Sequence, residues 1–186
     1  PKVIRDYFGD GSSLGVRMQY SVEQTPAGTA GSDKLAEPEL KDDTFLVISG
    51  DALTDFDLGE VVAFHKRRGA MVTIALKRVE NPLEFGVVVV DDDGRIERFL
   101  EKPTWGQVFS DTVNTGIYVI EPEVLDHIPE GQSYDFSHNL FPKLFDMHKP
   151  LYGMVCEGYW QDIGSLEQYL QANRDALDGK VRLTPP

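Results

Sequence analysis

The stretch "TFLVISGDALTDFDL", Thr44 to Leu58, decides how this chain is read. Five of the six residues from Phe45 to Gly50 suit a buried strand. The run stops at Gly50 and meets Asp51, with two more acids at Asp55 and Asp57. Gly-Asp is ordinary turn chemistry, and Asp57 is well placed to cap a following helix. An aspartate held at the end of a buried strand is also a hard oxygen ligand of the kind Mg²⁺ prefers. The stretch alone favours the turn.

Outward from it, short apolar runs alternate with helical patterns. "VRMQYSVE" reads as a strand, and "GSDKLAEPEL" as a short helix interrupted at Pro38. "LGEVVAFHKRRG" reads as an amphipathic helix with Val61, Val62 and Phe64 on its apolar side, His65 on a solvated face and Gly69 as its stop. "AMVTIALKRV" is a strand, and "GVVVVDDDGRIERFLEKP" a hairpin turning at Asp92, Asp93 and Gly94. "VNTGIYVIEP" is a buried strand. "DFSHNLFPKLFDMHK" is helical with a break or start near Pro142. "PLYGMVCEGYWQDIG" is a strand running into a turn. "SLEQYLQANRDAL" is a helix capped by Ser165, with Leu166, Tyr169, Leu170 and Leu177 as its expected face. "PKVIRDYFGDGSSLG" opens in mid-element, without a Met or a preceding strand, which suggests a truncated start. The alternation predicts an α/β domain with a mostly parallel sheet and an inserted hairpin. Ligands of such sheets sit beyond the carboxyl ends of the strands.

The 186 residues suffice for one domain burying roughly 70% of its unfolded surface. Thirty-one acids against 18 bases give a formal net charge of −13, which argues against nonspecific binding of nucleic acid or anionic membranes. An anionic small molecule stays compatible with that charge, provided a few placed Lys or Arg or a bound metal supply cations. No apolar run reaches the length of a membrane span, and no segment reads as a signal peptide. The single cysteine, Cys156, excludes an internal disulfide framework and suits a reducing, cytoplasmic setting. Its surroundings, "YGMVCEGYW", read as a buried strand position.

Five motifs lie at strand ends or breaks. "EQTPAGTAGSDK" offers Pro26, Gly28 and Gly31 before a helix, a turn that exposes backbone N–H groups. "SGDALTD" holds Asp51. "FLEKPTWG" places Glu101 beside Lys102, an acceptor for hydroxyls next to a point charge. "VNTGIYVI" puts Asn114, Thr115 and Gly116 against an apolar strand. "GYWQDIGSLEQYL" puts Asp162 between strand and helix. Each has a plain structural reading as a loop, turn or strand end. None of the four histidines has the spacing of a metal ligand set or a catalytic triad, and no serine is flanked as in a nucleophile elbow.

In their order along the chain, these motifs resemble the sugar-1-phosphate nucleotidyltransferases, and within them the mannose-1-phosphate guanylyltransferases. The resemblance covers essentially the whole chain. It implies a Rossmann-like nucleotidyltransferase sheet, of GT-A-like form, lacking its first βα unit. The domain would span residues 1–178, with 179–186 beginning a C-terminal extension of the left-handed β-helix kind. It implies transfer of a nucleoside monophosphate from an NTP, with GTP favoured, to a hexose 1-phosphate, with mannose favoured. By the same resemblance, Asp51 and Asp162 would hold Mg²⁺, and Pro26, Gly28, Thr29 and Gly31 would receive the nucleotide. Gly86, Glu101, Asn114, Thr115 and Gly116 would face the sugar, and Lys102 its phosphate.

The family's Gly-rich phosphate loop would lie upstream of Pro1, so the fragment alone is expected to have little activity. Ser32-Asp33 departs from the small or apolar residues usual after Gly31. Three alternatives stand beside the guanylyltransferase reading. They are a glucose-1-phosphate thymidylyl- or uridylyltransferase, a non-catalytic nucleotide-sugar-binding homologue, and a glycosyltransferase using Asp55-Phe56-Asp57 as a D-x-D metal motif. Homo-oligomers are compatible with the reading. The shared-metal expectation is geometric: two carboxylates on one Mg²⁺, at about 2.0–2.1 Å from each oxygen, must approach within roughly 4 Å.

Overall fold

Strand β6 (Thr112–Ile120) is the axis of the domain, because its apolar side chains alternate between two faces that are both covered. A computed structural model describes residues 2–101 and 110–183. Along one edge, β6 runs antiparallel to β3 (Val72–Arg78), and β3 runs parallel to β7 (Leu151–Val155). Along the other edge, β6 pairs antiparallel with β1 (Phe45–Ile48) over Ile117–Ile120 and with β4 (Gly86–Val90) at Val113. β4 continues into β5 (Ile96–Glu101) as the expected hairpin, antiparallel. Four strands, β1, β3, β4 and β7, therefore point one way, and β5 and β6 point the other. The orientation is mostly parallel, yet most neighbours are antiparallel because β6 sits among the four. A separate two-stranded ladder joins β2 (Ala52–Thr54) to β8 (Trp160–Asp162).

The two faces have different covers. Tyr118, Ile120, Val72, Ile74 and Leu76 meet Ala30 of α2 (Thr29–Leu35), then Phe136, and Phe141 and Leu144 of α5 (Phe141–Asp146). Tyr118, Phe136 and Phe141 form a ring cluster with centroids 5.0–5.4 Å apart. The opposite face, Ala75, Ile117 and Val119, meets Val61 of α4 (Leu58–Arg68), with Phe56 and Cys156. Cys156 is buried as expected, and desolvation pushes its thiol up to about 11. Gly69 (φ 57°) ends α4 and Asp57 starts it, accepting from Glu60 N at 3.1 Å.

Val16–Glu23 forms no strand, since no described strand lies beside it to satisfy its backbone. β1 is only half covered: Leu46 and Ile48 are 37% and 44% exposed, because β1 has one paired edge and sends only Phe45 and Val47 to the core. The helical break falls at Ala36, between α2 and α3 (Glu37–Leu40), where Pro38 sits in the first turn of α3.

In α6 (Leu166–Leu177), Ser165 caps as expected. The proposed apolar face is nonetheless outward: Leu166, Tyr169, Leu170 and Leu177 are all exposed. The buried residues are Ala172 and Asp175, and Asp175 accepts from Tyr159 Oη (3.0 Å), Gln171 Nε2 (2.9 Å) and Lys180 Nζ (2.6 Å). Polar anchoring, not an apolar stripe, sets this helix's orientation. His65 is 1% exposed, not solvated. Its ring lies 2.9 Å from Thr73 Oγ1 and 2.9 Å from Glu121 Oε1, so α4 is pinned to the sheet by a hydrogen-bonded pair of contacts.

Candidate active site

β1 ends at Ile48, and the chain turns through Ser49–Asp51, with Ala52 N donating to Ser49 O at 3.3 Å. The turn delivers β2 alongside β8 in a register that sets Ala52 opposite Asp162. Ile163 N donates to Asp51 O at 2.8 Å, closing the ladder at the same end. The two aspartates, 111 positions apart in the sequence, thus end on adjacent backbones and line one cavity. Burial raises the Asp162 pKa, and the charge of Asp51 raises it further.

The cavity measures about 320 Å³. Gly86, at the start of β4, forms part of its wall, and so do Asn114, Thr115 and Gly116 of β6. A bulge in β6 makes this possible. Ile74 pairs with Tyr118 and Leu76 with Asn114, so Thr115, Gly116 and Ile117 together oppose Ala75. Gly116 takes φ 75°, and a Cβ there would meet Ser49 Oγ at 2.5 Å. Asn114 Oδ1 accepts from Gly116 N (3.0 Å) and holds the bulge. Its Nδ2 donates to Tyr118 Oη and to Ser137 Oγ, each at 3.1 Å. Thr115 turns its side chain inward, 2% exposed, donating to Ala75 O at 2.7 Å. Its carbonyl accepts from Trp160 Nε1 at 3.0 Å, and Trp160 meets Phe85 edge-on at the cavity wall. Thr115 therefore builds the wall and offers the cavity no free hydroxyl.

Glu101 faces Gly86 across the β4–β5 ladder. Lys102 lies outside the described residues, and only the backbone of Glu101 is placed.

The glycine turn before α2 is occupied by protein. Ala30 N and Gly31 N both donate to Tyr134 O at 3.0 Å. A Cβ on Gly28 (φ 75°) would stand 2.6 Å from that oxygen. Pro26 and Gly31 line a second cavity of about 560 Å³, bordered by Lys34, Pro129 and Gln132. Thr29 points the other way: its Oγ1 donates to Asp135 Oδ2 at 2.7 Å and accepts from Phe136 N at 3.0 Å. Asp135 belongs to the first cavity, so Thr29 ties the glycine turn to it.

Sequence reasoning missed Asp135, Ser137 and His138, which also line this cavity. The signal was the "DFSHN" pattern: an Asp whose side chain accepts from the backbone N–H groups two and three residues on. Burial works against the Asp135 charge. Hydrogen bonds from His138 N, Thr29, the His138 ring and Ser137 N nonetheless hold its pKa below the usual range.

Asp55, the first acid of the Asp55-Phe56-Asp57 alternative, is held by protein partners. Its carboxylate is 6% exposed and accepts from Tyr159 N (2.7 Å), Arg182 N (2.9 Å) and Arg182 Nε (3.2 Å). These contacts tie Arg182 to the approach to β8, and Asp55 is not among the residues lining the cavity.

Among the described residues, no group of three or more His, Cys, Asp or Glu is placed to hold a metal ion, and no helix is long and apolar enough to cross a membrane. Two carboxylates with substrate oxygens and water is nevertheless the usual way Mg²⁺ is held, so Asp51 and Asp162 fit that ion.

The sequence profile of the nucleotidyl transferase family matches residues 1–179. The chain is 42% identical over 192 aligned positions to a UTP–glucose-1-phosphate uridylyltransferase of Synechocystis, covering 96% of this chain and 50% of that protein. It is 38% identical to a mannose-1-phosphate guanylyltransferase of Mycobacterium tuberculosis, with the same coverage of 96% and 50%. The chain thus spans about half the length of these curated relatives. A crystal structure from Bacillus anthracis, of a provisionally assigned glucose-1-phosphate thymidylyltransferase with a sucrose, superposes with TM-score 0.83 at 23% identity. That match covers 99% of this chain and 74% of the other. With the profile matched over nearly its whole length, the chain belongs to the nucleotidyl transferase family.

Proposed function

We propose that the protein carrying this chain transfers a nucleoside monophosphate from an NTP to a hexose 1-phosphate. A phosphate oxygen of the sugar bonds to the α-phosphorus. The bond from that phosphorus to the oxygen bridging the β-phosphate breaks, and pyrophosphate leaves. The observation that carries the reading is the meeting of Asp51 and Asp162 across the β2–β8 ladder, beside a wall of Gly86, Asn114 and Gly116. Asp51 and Asp162 would hold Mg²⁺, which when bound neutralises charge on the phosphates.

The chain's own residues supply position. Gly86 and Gly116 let backbone approach the sugar, and Glu101 and Asn114 would meet its hydroxyls. Lys102 would meet its phosphate, and the bulged Thr115 would keep the sugar-side wall in place. Pro26, Gly28, Thr29 and Gly31 would flank the nucleotide. No covalent nucleophile is required, since such transfer rests on positioning and electrostatics.

GTP and mannose 1-phosphate are the favoured pair, supported by the motif order and by the 38%-identical guanylyltransferase. A uridylyltransferase acting on glucose 1-phosphate is the second reading, supported by the 42%-identical relative. In either case the reaction would run in the cytoplasm. The test is pyrophosphate release by the full-length protein with Mg²⁺, each common NTP, and mannose or glucose 1-phosphate. The fastest release is expected with GTP and mannose 1-phosphate. UTP with glucose 1-phosphate in first place would select the second reading, and no release with any pair would defeat both.

A further inference from the structure

The described lining of the active-site cavity carries three carboxylates, Asp51, Asp135 and Asp162, and neither lysine nor arginine. Its one basic side chain is His138. Two polyanionic substrates would enter this space, where His138 is the described cation beside the Lys102 assigned to the phosphate above.

The ring is held rather than loose. Asp135 Oδ1 accepts from Ser137 N at 2.8 Å and His138 N at 3.0 Å, and lies 3.2 Å from His138 Nδ1. Its other oxygen is fixed by Thr29 Oγ1 at 2.7 Å. An ionised carboxylate only accepts, so Nδ1 carries a proton toward it. Nε2 has no protein partner among the described residues, and the side chain is 63% exposed, which leaves that edge free for a ligand. The remaining titratable groups of the cavity are Asp51 and Asp162, and Tyr118, whose hydroxyl accepts from Asn114 Nδ2.

We infer that His138, oriented by Asp135, is a phosphate-binding residue of this site: its imidazolium Nε2–H donates to a phosphate oxygen of the hexose 1-phosphate or of the NTP. The identity of the anion rests on the reaction proposed above. Charge-assisted bonds of this kind are strong, and this one exists only while the ring is protonated. Binding of that phosphate therefore weakens when the ring gives up its second proton.

The test uses the full-length protein, wild type and the variants H138Q and H138K, assayed from about pH 5 to about pH 8. Wild type should show a KM for one substrate that rises with pH, with kcat little changed. H138Q should raise that KM roughly tenfold at the acidic end and flatten its pH dependence. H138K should keep KM low across the range. The substrate whose KM responds identifies the source of the phosphate. Unchanged KM values in H138Q overturn the inference, as do equal losses in H138Q and H138K, which would mark a purely structural ring.

A second readout does not need turnover. The His138 ring resonances, identified by their loss in H138Q, are followed by NMR while inorganic pyrophosphate or glucose 1-phosphate is added. A saturable response, stronger at low pH, supports the contact, and a silent ring overturns it. A responsive ring in a protein that releases no pyrophosphate with any pair would sink the proposed reaction and leave the phosphate contact standing. A silent ring in an active enzyme would do the reverse.

Discussion

At Asp162, burial and the charge of Asp51 both oppose ionisation in the folded chain. A carboxyl whose folded pKa is raised favours the folded state most at low pH, and that advantage is lost as pH rises through the folded value. Asp162→Asn removes the charge permanently. Its Tm at neutral pH, without divalent cation, should match or exceed wild type, the difference closing as pH falls. The same reasoning applies more strongly to Asp33, whose Oδ2 is buried without a partner and whose pKa desolvation raises to about 6. The penalty of its ionised form grows between the unfolded value near 3.8 and about 6. Asp33→Leu should therefore stabilise the protein by up to about 3 kcal/mol at pH 8 and by much less near pH 4. Urea midpoints at the two pH values check this, and equal midpoints would contradict it. Replacing His65 by Ala destabilises instead: it leaves the buried Thr73 hydroxyl without its ring partner and takes one of two contacts from Glu121 Oε1, at a cost of about 1–3 kcal/mol.

Elements show where sequence patterns were sufficient and where they were not. The β4–β5 hairpin was legible because a run of valines meets Asp-Asp-Gly, and the turn needs Gly94 at φ 82°. Asp51 and Asp162 were legible as strand-end acids. Their meeting was not, because it depends on the β2–β8 register, which joins segments more than 100 residues apart. His65 was misread because helical spacing alone places it beside Lys66 and Arg67, while Thr73 and Glu121, which draw it inward, come from other elements. Asp135 was passed over because its role is to fix Thr29 and the His138 ring, contacts that no spacing rule encodes.

In α6 the exposed Leu170 should tolerate Glu within about 0.5 kcal/mol, whereas Ala172→Leu overpacks a buried position at about 1–3 kcal/mol. Thermal melts of the pair decide which face is inward. At the glycine turn, Gly28→Ala meets both a positive φ and the Tyr134 carbonyl. The expected loss is about 1–3 kcal/mol, or about 2–4 °C of Tm for each kcal/mol in a chain of this size.

Over the whole molecule, the sheet brings the functional segments to one side. β1, β3, β4 and β7 point the same way, and the cavity opens beyond the carboxyl end of β1, as ligand sites do in open α/β sheets. The reversed strand β6 contributes its N-terminal half to the same place, and its bulge turns Asn114 and Gly116 toward the opening. We propose that Asp51 and Asp162 act as one unit on one divalent cation. Pyrophosphate release by full-length wild type, D51N, D162N and the double variant, all with Mg²⁺, tests it most directly. Each single variant should lose about 100-fold or more, and the double variant should be little worse than either single one, because groups serving one ion are not independent. Losses that multiply in the double variant, or a D51N protein with the wild-type rate, would contradict the claim.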